Sequence, residues 1–169
     1  AVFTLIGNAH LDRLHDRTGV FKAKTEMLEY MPCDGTVFLN ADDDLLCACD
    51  CRQRKVLYGL GDNAGVRAEN IRVESAAMQT CDIVSGKRRI HVSIPAYGRH
   101  MVYAALEGAA VGMKFGLNDD EIIRGIASYE TVGRRANVIN TGFITVIDDC
   151  YNANPDSVKC AIDSMCASR

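Results

Sequence analysis

The chain has 169 residues, of which 48% are hydrophobic, and this is enough apolar material to bury one sizeable core or parts of two modules and to exclude a disordered protein. It contains 19 Lys and Arg residues and 22 Asp and Glu residues, which gives a formal net charge of -3. This charge produces no long-range electrostatic attraction for nucleic acid or an anionic membrane. No apolar run approaches the roughly 20 residues that cross a bilayer, and the run at residues 1–6 lacks the basic flank of a signal peptide. We therefore expect a cytoplasmic protein with small-molecule partners.

The first third of the sequence predicts a parallel sheet. Short apolar runs at residues 1–6, 36–39 and 55–58 have the length and β-branched content of buried strands. A helical period at residues 18–31 separates the first two runs, and this strand-helix-strand order is typical of an α/β protein. Ligands of such sheets collect beyond the carboxyl ends of the strands, where the chain carries His10 and Asn40.

Lys24 occupies an unusual position in the predicted helix. On a helical wheel it lies among Val20, Met27 and Leu28, in the middle of the apolar side. A structural lysine extends its charge past the apolar surface or pairs with a carboxylate. The alternative is a functional lysine that is desolvated and chemically altered.

Other polar residues near the predicted strand ends also allow two interpretations. His10 is a structural hydrogen-bonding group or part of a site. Asn40 and the acidic residues at 42–44 turn the chain in solvent or hold a nucleotide or a magnesium ion. The residue pattern by itself favours the turn.

The eight cysteines include the close cluster Cys47, Cys49 and Cys51. A disulfide framework is typical of small secreted domains, and no other feature of this sequence indicates secretion. A CxCxC spacing is not a standard zinc motif, and no histidine lies near it. We expect ordinary reduced thiols, with a soft-metal site as the alternative.

The middle of the chain changes from a parallel to an antiparallel pattern. Alternating residues at 70–94 with a Ser-Gly turn at 85–86 predict a hairpin or meander. An alanine- and glycine-rich helix follows at residues 99–115 and is closed by Gly116. Asn118 and Glu121 then form the capping box of a second helix, which ends near Tyr129.

A second module is predicted to begin at Gly133. Two strand-like runs, at 136–139 and 143–147, are split by a turn, and Asn154 followed by Pro155 predicts the start of another helix. The fold class is therefore α/β: a mainly parallel sheet with an antiparallel hairpin, followed by the start of a second α/β domain.

Six short stretches, taken in order, resemble the Mur ligase family, and the resemblance extends over nearly the whole chain. It is closest to the members that add D-alanyl-D-alanine, and the last stretch is the most specific. The stretches are IGNAHL (6–11), KAKTE (22–26), LNADD (39–43), GRH (98–100), GR (133–134) and DDCYNANP (148–155).

The resemblance implies a three-domain enzyme. Residues 1–132 would be the second half of its central ATPase domain, and residues 133–169 the beginning of its C-terminal ligase domain. The implied reaction uses ATP to phosphorylate the terminal carboxylate of UDP-N-acetylmuramoyl-tripeptide, and the amine of D-alanyl-D-alanine then attacks the acyl phosphate. Magnesium assists the phosphoryl transfer in this peptidoglycan precursor reaction.

The resemblance also implies roles for particular residues. Lys24 would be carbamylated, which turns a cation into an oxygen donor, and would hold magnesium together with His10. The nucleotide would be bound by four further residues. They are Asn40 near the nucleotide pocket, His100 at the adenine-side helix start, Arg134 facing the ATP phosphates and Asp149 at the ribose hydroxyls.

The phosphate loop that such an enzyme requires is missing from the sequence, since no GxxxxGKT or similar stretch occurs in it. We therefore expect the 169 residues alone to be inactive, as a piece of a larger ligase. The alternative is an autonomous, noncatalytic binding module with the ligase architecture.

Overall fold

The computed structural model describes residues 1–8 and 11–167. The chain divides into two compact units, Ala1–Arg67 and Ala68–Arg169. Of the helices in the described ranges, none combines the length and the apolar character that crossing a membrane requires.

The first unit is built on parallel strands, as the sequence predicts. Their hydrogen-bonded order follows the chain, and each neighbouring pair is parallel. The strands are β1 (Val2–Phe3), β2 (Thr36–Asn40), β3 (Arg54–Gly59) and the first two residues of β4 (Val66–Ser75). The strand predicted at residues 1–6 is shorter than expected, because only Val2 and Phe3 pair with β2.

The core of the first unit surrounds β2. Val37 and Leu39 on this strand are fully buried and belong to one apolar cluster with Phe3, Ile6 and Leu46. Both faces of β2 are covered, which explains its continuous apolar run. The helices of this unit are α1 (Leu11–Leu14), α2 (Arg17–Thr25) and α3 (Asp44–Cys47).

The helical segment predicted at 18–31 changes type partway along. The α-helix α2 ends at Thr25, and the chain continues as a 3₁₀ helix over Glu26–Glu29. A 3₁₀ helix turns by about 120° per residue instead of about 100°, so a wheel drawn for one continuous α-helix misplaces its second half.

The second unit begins with the predicted antiparallel hairpin. The remainder of β4 is followed by β5 (Met78–Ser85) and β6 (Arg88–Ile94), and β5 pairs antiparallel with β6 up to Ser85 and Arg88. Gly86 in the connecting turn has a φ of 59°, a conformation that favours glycine.

The two helices after the hairpin confirm their sequence signals. They are α4 (His100–Lys114) and α5 (Asp119–Ala127). Gly116 follows α4 with a φ of 83°. Asn118 and Glu121 form the predicted capping box, in which each side chain accepts a hydrogen bond from the other residue's backbone N–H.

The end of the chain also has the predicted order of two strands and a helix. β7 (Asn137–Asn140) and β8 (Thr145–Asp148) form a two-stranded antiparallel sheet. α6 (Pro155–Ala167) begins after Asn154, whose Oδ1 accepts a hydrogen bond from the backbone N–H of Ser157 at 2.9 Å. The α/β fold class is confirmed, and the domain boundary at residue 133 stays a prediction.

Candidate functional site

The chain leaves β1 through residues 4–6, here called the β1-end segment, and two predicted site residues bind its carbonyl groups. The Asn40 amide donates from Nδ2 to the Thr4 carbonyl at 2.9 Å. Lys24 donates from Nζ to the carbonyl of the next residue, Leu5, at 2.8 Å. Helix α2 and the end of β2 therefore bring Lys24 and Asn40 to the same edge of the parallel sheet.

The other side of the β1-end segment is held by Asp43 and Arg17. The buried Asp43 carboxylate accepts from the backbone N–H of Ile6 at 2.8 Å and, as the N-cap of α3, from those of Leu45 and Leu46. Arg17 donates from Nε to the Ile6 carbonyl at 2.9 Å. Sequence reasoning treated Asp43 as part of a turn, whereas it joins the ends of β1 and β2.

Asp42 binds the loop that follows β3. Its carboxylate accepts from the backbone N–H of Leu60 at 2.5 Å and of Gly61 at 3.0 Å. A Cβ atom at Gly59 would lie 2.8 Å from Asp42 Oδ2, so the lack of a side chain there allows the carboxylate to approach this closely. The carboxylates of Asp42 and Asp43 thus hold the loops of the sheet edge.

The burial expected for Lys24 is wrong, because its side chain is exposed in this structure. Val20 and Leu28 are buried as predicted, but Met27 is 49% exposed. The change from α-helix to 3₁₀ helix after Thr25 separates these side chains and removes the continuous apolar face on which the expectation depended.

The structure describes only some of the residues that were predicted to bind a metal ion. His10 lies outside the described residues. Within the ranges that are described, no group of three His, Cys, Asp or Glu side chains is arranged to hold a metal ion. Cys47, Cys49 and Cys51 are free thiols, and burial raises the pKa of Cys49, with a further contribution from neighbouring Cys51.

The second unit contains the predicted adenine-side residue, His100, at the first position of α4. The residue is exposed, and its ring packs closely on Gly98, where a Cβ atom would lie 2.6 Å from Cε1. Gly98 also has a φ of 92°, so both space and backbone conformation require glycine. Desolvation lowers the pKa of His100, and the negative charge of Asp149 partly opposes this.

Asp149 and Arg134 lie beside the β7–β8 sheet. Asp149 accepts from the backbone N–H of Ala136 at 3.1 Å. Arg134 donates from Nε to the Asp148 carboxylate at 3.0 Å, and this hydrogen bond and charge raise the pKa of Arg134. Sequence reasoning missed the role of Asp148. An aspartate pair at 148–149 did not indicate which member binds the arginine.

Sequence reasoning also missed two residues near His100. The Sγ atom of Cys160 lies 3.4 Å from His100 Nδ1, and the Tyr97 hydroxyl donates to the Ala161 carbonyl at 2.8 Å. These residues are 60 or more positions apart in the sequence, and no local pattern could have linked them.

The chain matches the Mur ligase middle domain over residues 1–112. It is 31% identical over 163 residues to the UDP-N-acetylmuramoyl-tripeptide--D-alanyl-D-alanine ligase of Bacillus subtilis, covering 96% of this chain and 35% of that protein. It is 30% identical over 167 residues to the UDP-N-acetylmuramate--L-alanine ligase of Salinibacter ruber, covering 97% of this chain and 35% of that protein.

Solved structures share the fold. A crystal structure of MurF from Acinetobacter baumannii matches with a TM-score of 0.89 and 23% identity, over 100% of this chain and 37% of that one. MurF from Thermotoga maritima in complex with ADP matches with a TM-score of 0.83 and 19% identity, over 98% and 39% of the two chains. The chain spans about a third of the length of the curated relatives that it matches. With the middle-domain match covering residues 1–112 of its 169, the chain belongs to the Mur ligase family.

Proposed function

We propose that the chain is part of an ATP-dependent ligase that joins D-alanyl-D-alanine to UDP-N-acetylmuramoyl-tripeptide during peptidoglycan precursor synthesis in the cytoplasm. The observation that carries the proposal is the 31% identity, over 96% of the chain, to a Bacillus subtilis protein with that name. ATP phosphorylates the terminal carboxylate of the tripeptide, and the dipeptide amine attacks the acyl phosphate to form the amide and release phosphate.

The acyl acceptor is assigned from residues 148–155. The stretch DDCYNANP resembles the ligases that add D-alanyl-D-alanine, whereas other members of the family carry different residues there. Overall identity does not separate the two classes, because an L-alanine ligase is 30% identical. The acceptor is therefore the part of the proposal that an experiment should test first.

The sheet edge around the β1-end segment supports a catalytic role for Lys24. Its Nζ atom reaches the Leu5 carbonyl beside Asn40, at the carboxyl ends of two parallel strands where ligands of α/β sheets bind. In the intact enzyme, carbamylated Lys24 and His10 are proposed as two of the magnesium ligands.

Four residues are proposed as nucleotide contacts, and each is argued from its own surroundings. Asn40 lies near the nucleotide pocket, and its amide is oriented by bonds to Thr4 and Asp42. His100 and Asp149 are close enough for the charge of Asp149 to affect the imidazole, which supports their assignment to one adenosine site. Arg134 would exchange its Asp148 partner for ATP phosphate oxygens, a bidentate interaction that guanidinium groups favour.

The domain assignment is part of the same proposal. Residues 1–132 would form the second half of a central ATPase domain, and residues 133–169 would begin the C-terminal ligase domain. The alternative is an autonomous, noncatalytic module. The two interpretations differ in the phosphate loop, which the ligase requires outside this sequence and the noncatalytic module does not require.

An assay of released phosphate tests the proposal. The full-length protein that contains this sequence is mixed with ATP and UDP-N-acetylmuramoyl-tripeptide, and D-alanyl-D-alanine is compared with L-alanine as acceptor. We expect phosphate release and amide product with the dipeptide only, and no turnover by the 169 residues alone. Turnover with UDP-N-acetylmuramate and L-alanine would reassign the acceptor, and turnover by the isolated chain would support the autonomous module.

A further inference from the structure

The second unit contains a cavity of about 630 Å³. It is lined by β4 and β5, by residues 97–99 and by one side of α6. Its volume falls within the range of small-molecule sites, about 300–1,000 Å³. The cavity is therefore large enough to admit a compact organic ligand.

The lining of the cavity favours an uncharged molecule. Ile71, Val73 and Tyr97 supply apolar surface. The charged lining residues balance one another, since Arg99 and Lys159 are matched by Asp156 and Asp163. An apolar surface with balanced charge provides no net attraction for either an anion or a cation.

One thiol that lines this cavity lies beside an imidazole. Cys160 on α6 is a lining residue, and its Sγ atom lies 3.4 Å from Nδ1 of His100 on α4. Gly98 makes the contact possible, because a Cβ atom there would lie 2.7 Å from the same Nδ1 atom. Desolvation lowers the pKa of His100, so at neutral pH the ring is uncharged and can accept the thiol proton.

We propose that Cys160 is a covalent modification site for small, uncharged electrophiles of the α,β-unsaturated carbonyl class, with His100 as the proton acceptor. Cys160 Sγ forms a bond to the β-carbon, and the S–H proton passes to His100 Nδ1. The electrons of the carbon-carbon double bond move toward the carbonyl, and the α-carbon then takes the proton back from His100. The net reaction is an addition that consumes no oxidant or reductant.

The proposal does not depend on the ligase reaction and is tested on the full-length protein that contains this sequence. N-ethylmaleimide is added below the molar amount of thiol, and each cysteine peptide is quantified over time by mass spectrometry. Cys166 lies on the same helix, is exposed and has no imidazole partner among the residues that the structure describes, so it serves as the matched control. We expect Cys160 to react about tenfold faster than Cys166, although Cys160 is less exposed.

A His100→Gln variant separates the imidazole from simple access to the cavity. The rate at Cys160 should fall to that of Cys166 or below, while the rate at Cys166 stays unchanged. Circular dichroism shows whether the variant is folded. If it is not, the native chain is compared with the same chain unfolded in urea, where the two cysteines should react equally. A native rate at Cys160 no greater than that at Cys166, or an advantage that survives in folded His100→Gln, would overturn the proposal.

Discussion

Among single residues, Asp43 contributes most to the geometry of the candidate site. Its carboxylate accepts from the backbone N–H groups of Ile6, Leu45 and Leu46, and it is 4% exposed. One side chain therefore caps α3 and fixes the β1-end segment on which Lys24 and Asn40 converge.

Replacing Asp43 with alanine should lower the free energy of unfolding by about 3 kcal/mol. A lost N-cap costs about 1 kcal/mol, and a buried N–H left without an acceptor costs about 1–3 kcal/mol more. Urea denaturation of the isolated chain measures the change. Asp44→Ala is the matched control, since Asp44 is exposed and its pair with Arg17 is screened by solvent, and its loss should be much smaller. Equal effects of the two substitutions would refute the role of Asp43.

The lowered pKa of His100 gives a pH dependence of stability with a definite sign. Desolvation holds the folded pKa below the ordinary value of 6.5, so between these two values the unfolded chain binds more protons than the folded one. The contribution of neutral His100 to the free energy of unfolding is therefore complete above pH 6.5 and is lost as the pH falls toward the pKa of the folded state. We expect NMR titration of His100 to give a midpoint below 6.5 and His100→Gln to reduce the loss of stability on acidification. A midpoint above 6.5 would contradict the desolvation.

Among the elements, those with local signals were predicted from the sequence. The capping box of α5, the turn at Gly86 and the closure of α4 at Gly116 each depend on a few neighbouring residues, and the structure contains all three. The segment after Thr25 was mispredicted because apolar spacing does not distinguish an α-helix from a 3₁₀ helix over one turn. Lys24 was placed on a buried face for this reason.

Two glycines near α5 provide a test of the helix closure. Neither Gly116 nor Gly125 has an atom within 4 Å of an added Cβ, but Gly116 has a φ of 83° whereas Gly125 lies inside α5. Gly116→Ala should destabilise the chain by about 1 kcal/mol, and Gly125→Ala should stabilise it by about 0.5–1 kcal/mol. Thermal unfolding of both variants gives the comparison. If Gly116→Ala stabilised the chain, Gly116 would not hold the left-handed backbone conformation that ends α4.

For the whole molecule, the sequence placed Lys24, Asn40 and His100 in the elements where the structure has them, but it did not indicate their contacts. Parallel strand order made it predictable that the ends of β1 and β2 share an edge. The bonds that complete the edge join residues far apart, such as Asp43 with Ile6 across 37 positions, and the contact of Cys160 with His100 spans 60. Such pairings depend on the packing of the elements, and local patterns carry no information about them.

We propose that the sheet edge at the β1-end segment is catalytic in the intact ligase, and substitutions of Lys24 test this role. In the full-length protein that contains this sequence, phosphate release is measured with ATP, UDP-N-acetylmuramoyl-tripeptide and D-alanyl-D-alanine for Lys24→Ala, Lys24→Arg and the nearby control Lys22→Ala. We predict that both Lys24 variants lose activity by about a hundredfold or more while Lys22→Ala keeps it, because neither alanine nor a permanent cation can form a carbamate. A short carboxylic acid in the buffer should partly restore Lys24→Ala. Near-normal activity of Lys24→Arg would contradict the carbamate and return Lys24 to an ordinary structural cation.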